Sequence, residues 1–129
     1  MIIRTASCRC GAALAVCRGD PVRISICHCL ACKQRTGSAF SYNATYDWSQ
    51  IEVSGETRAW ERRSEEGNRI VHHFCTTCGA TAWYEPEIRP GRVTIPAGNF
   101  ADPDFPAPFA EVYRERRQAW LPKLGIEGD

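Results

Sequence analysis

The sequence has no long hydrophobic run, and no segment approaches the roughly 18 consecutive apolar residues that span a bilayer. Residues 1–7 lack the apolar stretch of about 7–15 residues found in a secretory signal peptide. There is also no excess of one charge, since 16 Lys and Arg residues against 15 Asp and Glu residues leave a net charge of +1. A dedicated nucleic-acid binder needs a stronger basic surface. We therefore expect a cytoplasmic protein with neither a membrane nor a nucleic acid as its partner.

The length of 129 residues suits one domain with a modest core. Hydrophobic residues make up 43% of the chain and charged residues 24%, which is ordinary for a globular protein. No internal repeat, low-complexity segment or long linker divides the sequence. We predict a single domain over residues 1–121 and a flexible C-terminal tail over residues 122–129.

Turn-forming residues are frequent, and the short segments between them have alternating or β-branched character. These segments are residues 22–26, 40–46, 70–74, 81–84, 93–95 and 109–113. Short strands at such close spacing are typical of a mainly β domain with mostly antiparallel sheets. Helix signals are few. Asp47 is a plausible N-cap for one turn over residues 47–50, and residues 31–35 can turn helically beside a metal ion.

Eight cysteines are a high number for a chain of this size. In a secreted domain an even number indicates disulfides, whereas in a reducing cytosol it indicates metal binding or catalysis. The spacing also favours metal binding, and a disulfide framework remains the alternative. The cysteines occur as a pair, a single residue, a triplet and a second pair: Cys8-x-Cys10, Cys17, Cys27-x-Cys29-x-x-Cys32 and Cys75-x-x-Cys78.

Thiolates separated by one or two residues favour zinc in tetrahedral geometry. Each pair supplies two ligands, so the two pairs together predict one closed structural zinc site. The triplet offers three thiolates, and three protein ligands with an open fourth position describe a catalytic zinc site. The alternative is a second structural zinc completed by a more distant residue, for which the sequence offers Cys17, His28, His72 and His73.

Each of these four residues also has a structural interpretation. His28 lies between two ligands, and we expect it to point away from the ion that they share. His72 and His73 are expected to be strand residues beside the second pair, with at most one of them facing the metal. Cys17 is expected to be a small buried hydrophobic residue.

Three motifs in this order resemble the glutathione-dependent formaldehyde-activating enzyme family, which includes the centromere protein V type of domain. The motifs are Ser7-Cys8-Arg9-Cys10-Gly11, CHCLACKQRTGS over residues 27–38, and Phe74-Cys75-Thr76-Thr77-Cys78-Gly79. The resemblance extends from Ser7 to the region of Trp120. Residues 95–100 resemble a strand and Gly-containing turn of the family, and residues 112–120 resemble its C-terminal strand and tryptophan segment.

The resemblance implies a β-tent fold of short antiparallel sheets stapled by two Zn²⁺ ions. It places the structural ion on Cys8, Cys10, Cys75 and Cys78, and the catalytic ion on Cys27, Cys29 and Cys32. The implied activity is that of a carbon–sulfur lyase, which adds glutathione reversibly to formaldehyde and forms S-hydroxymethylglutathione. One position departs from the pattern. Many relatives have a histidine just before the C-terminal strand, where this chain has Glu111, so another thiol or small carbonyl stays open as the substrate.

Three Cys ligands leave zinc with a net negative formal charge. Such an ion generates hydroxide poorly, but it can hold an incoming thiol as a nucleophilic thiolate. The fourth thiolate adds a further negative charge, which nearby cations or hydrogen-bond donors must offset. The residues that follow Cys32 are placed to do so, and we interpret them as candidate contacts for glutathione or another thiol: Lys33, Arg35, Thr36 and Ser38.

Other charged and aromatic residues have structural interpretations. Arg62 and Arg63 stand among acidic residues and predict a mixed, solvated hairpin. Three tryptophans predict packing in the core or at its rim: Trp48, Trp60 and Trp83.

The alternative to an enzyme is a zinc-stabilised binding module without catalysis. Such a module would be expected to have a basic extension or patch, and the net charge of +1 disfavours it. A small β domain with exposed strand edges can also form a homodimer.

Overall fold

The structure is a computed structural model that describes residues 1–126. Within that range the chain forms ten β-strands, one α-helix and three 3₁₀ turns. The strands are β1 Ile3–Ser7, β2 Leu14–Arg18, β3 Arg23–Cys27, β4 Ser41–Asp47, β5 Ile51–Ser54, β6 Thr57–Arg63, β7 Arg69–Cys75, β8 Thr81–Pro86, β9 Arg92–Pro96 and β10 Ala110–Val112. Helix α1 spans Leu30–Thr36, and the 3₁₀ turns span Trp48–Gln50, Ala97–Phe100 and Arg114–Arg116.

The strands of the described chain form two sheets. A small sheet has the order β1-β2-β5, and a large sheet has the order β10-β3-β4-β9-β8-β7-β6. The pairs are antiparallel except for β10 with β3, which run parallel from Ala110↔Ser25 to Val112↔Cys27. Each segment predicted as a strand overlaps one of these strands. The predicted mainly β fold with mostly antiparallel pairing is therefore confirmed.

The large sheet has an apolar face and a polar face, because successive side chains of a strand point to opposite sides. The apolar face packs against the small sheet, and the main core lies between them. Fully buried members of that core include Cys17, Ala44, Tyr46, Val93 and Ile95. The alternate positions on the other face hold small polar residues, which are also buried: Ser25, Asn43, Thr45 and Thr94. A face of buried polar groups is suited to binding a ligand rather than to forming a core.

Both local helical predictions are confirmed. A 3₁₀ turn covers Trp48–Gln50, where the backbone N–H of Asp47 donates to the Gln50 side chain at 2.9 Å. Helix α1 begins after its N-cap Cys29, whose sulfur accepts a hydrogen bond from the Cys32 backbone N–H at 3.3 Å. The helix ends at Gly37, which takes the left-handed conformation. Two of the three triplet cysteines are therefore positioned by the first turn of α1.

The side-chain predictions for three tryptophans can be compared with their burial. Trp83 is part of the main core and Trp48 packs against it, whereas Trp60 is exposed on β6. Cys17 is fully buried on β2, as expected for a small hydrophobic residue.

No helix among residues 1–126 is long and apolar enough to cross a membrane. Residues 127–129 of the predicted flexible tail lie outside the described residues. In the described part of the tail, the Ile126 carbonyl accepts a hydrogen bond from Arg114 at 2.9 Å, and the Pro122 carbonyl accepts one from Arg117. The flexibility of the tail and the homodimer remain predictions.

The turn between β5 and β6 passes very close to the loop that follows β1. A Cβ atom on Gly55 would lie 2.0 Å from the Ala12 carbonyl oxygen. We expect Gly55→Ala to lower the urea midpoint of unfolding more than Gly67→Ala, which has a similar positive φ but no atom within 4 Å of the added carbon. Both changes share a left-handed strain of about 1–2 kcal/mol. Equal midpoints for the two variants would contradict this close approach.

Candidate metal centres and active site

Four cysteines from two distant loops come together at one edge of the fold. Cys8 and Cys10 follow β1, Cys75 ends β7, and Cys78 lies in the turn between β7 and β8. Their sulfur atoms all lie within 4.8 Å of one another, with 3.7 Å from Cys8 to Cys10 and 3.7 Å from Cys10 to Cys75. A tetrahedron with metal–sulfur bonds of about 2.3 Å has edges of about 3.8 Å. The four-cysteine group therefore fits a metal ion, and all its members are free thiols rather than disulfides.

Backbone amides donate hydrogen bonds to sulfur atoms of this four-cysteine group. The Ala13 N–H points to the Cys8 sulfur at 3.2 Å, and the Thr77 N–H points to the Cys75 sulfur at 3.4 Å. The hydrogen bond from Ala13 is the largest cause of a Cys8 pKa lowered to about 6. Such donors favour the thiolate, which is the form of cysteine that binds a metal.

The three-cysteine group is formed by Cys27, Cys29 and Cys32, and it is more deeply buried. Cys27 ends β3, Cys29 caps α1, and Cys32 lies in the first turn of that helix. The three sulfur atoms also lie within 4.8 Å of one another. Hydrogen bonds from Cys27 and Cys29 lower the pKa of Cys32, and the charge of Arg35 lowers it further. The donor set fits a soft metal ion bound through three thiolates.

No further Cys, His, Asp or Glu of residues 1–126 joins the three-cysteine group. Cys17 lies in the main core, and the His73 ring bonds to Glu85 at 2.8 Å. His28 bonds to Glu111 at 2.7 Å, and His72 packs between two aromatic rings. The more distant fourth ligands that the sequence offered are thus engaged elsewhere, and the group keeps three protein sulfurs.

A cavity of about 210 Å³ lies against the three-cysteine group. Its floor is the polar face of the large sheet, and one wall is the hairpin formed by β6 and β7. The lining includes the three cysteines and these polar residues: Arg23, Ser25, Asn43, Thr45, Arg62, Arg63, Ser64, Glu65, Tyr84, Arg89 and Thr94. Ala31, Ile70, Pro86, Val112 and Tyr113 complete it. Three thiols, a cavity and convergent polar groups therefore form a candidate active site.

The model of the glutathione-dependent formaldehyde-activating enzyme family matches residues 3–116. The chain belongs to this family. Among solved structures it is similar to a Rhodobacter sphaeroides protein, with a TM-score of 0.58 and 19% identity over 74% of this chain and 85% of that one. At that identity the likeness shows a common fold alone. No curated protein matches the chain.

Arg62 and Arg63 lie in the hairpin that the sequence predicted, where Arg63 and the neighbouring acidic residues are exposed. Both arginines also line the cavity, which the sequence of this family member did not indicate. The reason lies in the tip of the hairpin, where Glu65 bonds to Arg116 at 3.1 Å and Glu66 accepts a hydrogen bond from Tyr113. These contacts hold the hairpin over the site. No local pattern could have indicated them, because their partners are about 50 residues apart in sequence.

The four candidate thiol contacts after Cys32 do not line the cavity formed by the described residues. Lys33 donates to the Arg116 carbonyl and to the Gln118 side chain. The Thr36 hydroxyl donates to the Cys32 carbonyl at 2.8 Å and accepts from the Ser38 N–H at 3.2 Å. Arg35 contacts a residue that does line the cavity. Its guanidinium carbon lies 5.3 Å from the ring centroid of Tyr84, which lines the cavity.

Two cavity-lining residues that the sequence did not single out, Asn43 and Tyr84, lie on the polar face of the large sheet. Tyr84 donates its hydroxyl to Asn43 at 2.6 Å, and burial is the main cause of its raised pKa. Both line the cavity. For Asn43 the available signal was the alternation of small polar and apolar residues along β4 and β9, which predicts a strand and also marks the polar face that lines the cavity.

Glu111, the residue at which this chain departs from the family pattern, lies outside the cavity lining. Its carboxylate accepts a hydrogen bond from the fully buried ring of His28 at 2.7 Å. Arg114 and Arg117 approach the same carboxylate at 3.5 Å and 3.7 Å. His28 is flanked by Cys27 and Cys29, so this pair connects β10 to the segment that holds two of the three sulfurs.

We expect Glu111→Ala to lower the free energy of unfolding by about 3 kcal/mol, because removing one partner of a buried pair leaves the other without compensation. Glu115→Ala is the matched control, since Glu115 is exposed in the neighbouring 3₁₀ turn. Urea unfolding followed by tryptophan fluorescence measures both. A Glu111→Ala variant as stable as the control would show that this pair does not hold β10 in place.

Proposed function

We propose that this chain is a zinc-dependent carbon–sulfur lyase-type enzyme that adds glutathione, or a similar thiol, to formaldehyde or another small carbonyl. The observation that carries the proposal is the three-cysteine group at the wall of a cavity of about 210 Å³, with no fourth protein ligand among residues 1–126. Three ligands and an open position are typical of a catalytic zinc site. The description of the family supports the same pair of substrates.

In this proposal the two cysteine groups have different roles. The four-cysteine group would hold a structural zinc, because its four sulfurs complete a tetrahedron without a substrate. The three-cysteine group would hold the catalytic zinc. Zinc bound there supplies a position at which the sulfur of an incoming thiol is kept as a nucleophilic thiolate.

The reaction forms one bond and moves one proton. The thiol sulfur bonds to the carbonyl carbon, the π electrons of the carbonyl move to its oxygen, and that oxygen takes up a proton equivalent to the one lost by the thiol. The cavity brings both reactants together, which lowers the barrier through proximity. Tyr84 keeps its proton because burial raises its pKa, and its hydroxyl donates a hydrogen bond to Asn43 at the cavity wall.

Cationic side chains offset the negative charge that collects at the three-cysteine group. Arg35 is the one of the four predicted thiol contacts whose charge acts on that group, since it helps to lower the pKa of Cys32. Arg62, Arg63 and Arg89 add positive charge along the cavity. We infer an indirect role at this site for Lys33, Thr36 and Ser38. Their polar groups contact the end of helix α1 and the C-terminal segment, and so help to hold the helix that positions two of the cysteines.

Metal content tests the two roles. We expect two zinc ions per chain, measured by elemental mass spectrometry on the purified protein. Cys29→Ser is expected to lose one ion and stay folded, whereas Cys75→Ser is expected to lose one ion and unfold, because a structural zinc contributes folding free energy directly. Cys17→Ala, which changes a cysteine outside both groups, is expected to keep both ions. If Cys29→Ser unfolds as readily as Cys75→Ser, the second zinc is structural.

Catalysis is tested by the rate of S-hydroxymethylglutathione formation above the spontaneous reaction, followed by NMR exchange spectroscopy. We expect the wild-type protein and Cys17→Ala to accelerate the reaction, and Cys29→Ser to lose at least about 100-fold of that acceleration, as for an essential contact worth about 3 kcal/mol. A wild-type protein that binds two zinc ions without any acceleration for several thiols and carbonyls would instead favour the binding module.

A further inference from the structure

The candidate active site has more positive than negative side chains. Four arginines line the cavity, namely Arg23, Arg62, Arg63 and Arg89. The acidic residue that lines it is Glu65, and its carboxylate is already bonded to Arg116 at 3.1 Å and 3.2 Å. A cavity with this charge favours an anionic ligand.

Arg62 differs from other arginines of the sheet in the partner that positions it. Its Nε–H donates to the Nε2 atom of His72 at 3.3 Å. By contrast, Arg69 pairs with Glu61 and Arg92 pairs with Asp47, each within 2.7 Å of a carboxylate oxygen. Among the described residues no carboxylate pairs with Arg62, so no acidic side chain takes up its guanidinium.

His72 is suited to hold a guanidinium without cancelling its charge. The side chain is buried between the rings of Trp60 and Tyr84, with centroid distances of 5.7 Å and 5.1 Å. The charged groups that face it are Arg35 and Arg62, with His73 as its neighbour. Burial is the main cause of a His72 pKa lowered to about 4, and the two arginines add to the shift. The ring is therefore neutral near pH 7 and accepts through Nε2.

We propose that Arg62, positioned by His72, binds a carboxylate of the thiol substrate and makes the site selective for anionic thiols. The hydrogen bond to His72 uses Nε, and it leaves the two terminal nitrogens for a bidentate contact with a carboxylate. Arg62 contacts the substrate, and His72 is a positioning residue. This inference rests on the proposed function, because it concerns the thiol that reacts beside the three-cysteine group.

The test compares glutathione with its dimethyl ester, in which both carboxylates are blocked and the thiol is kept. Steady-state addition to formaldehyde gives KM and kcat for the zinc-loaded full chain. We expect Arg62→Gln to raise the KM for glutathione about 10- to 100-fold, as for a lost hydrogen bond to a charged group. The kcat and the KM for the ester are expected to change far less than the KM for glutathione. Arg58→Gln is the matched control, since Arg58 is exposed on the same strand and outside the cavity lining.

A second set of variants tests whether His72 positions Arg62. His72→Phe removes the acceptor and keeps an aromatic ring, so it is expected to raise the glutathione KM without affecting the ester. His72→Gln places an amide oxygen near the position of Nε2 and is expected to restore much of the wild-type KM. The double variant Arg62→Gln/His72→Phe is expected to be no worse than Arg62→Gln alone, because the two residues act as one unit.

The outcomes separate this inference from the proposed function. An Arg62→Gln variant that leaves the glutathione KM unchanged, or raises the ester KM equally, overturns the role of Arg62 while thiol addition stands. A His72→Phe variant that raises both KM values equally shows a structural role only. If His72→Phe does not fold, His72→Gln and the Arg62 variants decide. A wild-type protein that accelerates addition of neither thiol overturns the proposed function, and this inference with it.

Discussion

The approach of cysteine sulfurs from distant parts of the chain is the constraint on which the rest of the structure depends. Cys10 and Cys75 are 65 residues apart, yet their sulfurs lie 3.7 Å from each other. Cys8 and Cys10 follow the small sheet, and Cys75 ends a strand of the large one, so the four-cysteine group joins the two layers. Four thiolates repel one another without a cation, because like charges at such distances disfavour ionisation. A bound metal thus couples the layers that enclose the main core.

The same ligand chemistry has a different consequence in the three-cysteine group. Its sulfurs belong to one short segment at the end of β3 and the start of α1, so they hold no distant parts of the chain together. They lie instead on the polar face of the large sheet, beside the cavity. The pair of His28 and Glu111 supports this segment from β10. The large sheet therefore has the main core on its apolar face and the candidate active site on its polar face.

Much of this arrangement could be predicted from local patterns. The strands, the helix at residues 30–36 and the turn after Asp47 follow from alternation, capping and turn residues, which act over a few positions. The grouping of the cysteines follows from spacing, because two ligands per turn require a second pair. The parallel pairing of β10 with β3 could not be predicted, since it depends on where the chain returns after a long irregular segment. The position of Arg62 at the cavity could not be predicted for the same reason, because it depends on contacts at the hairpin tip.

The sequence by itself determined the family, the mainly β class and the two cysteine groups that could hold a metal ion, because motif spacing and strand periodicity depend on neighbouring residues. Only the tertiary structure decided what surrounds the three sulfurs. It placed Tyr84 and Arg62 at the cavity and set His72 beside Arg62, while Glu111 was turned toward His28. Which side chains converge on a site depends on sheet order and on contacts between segments far apart in the chain, and neither is encoded in a local pattern.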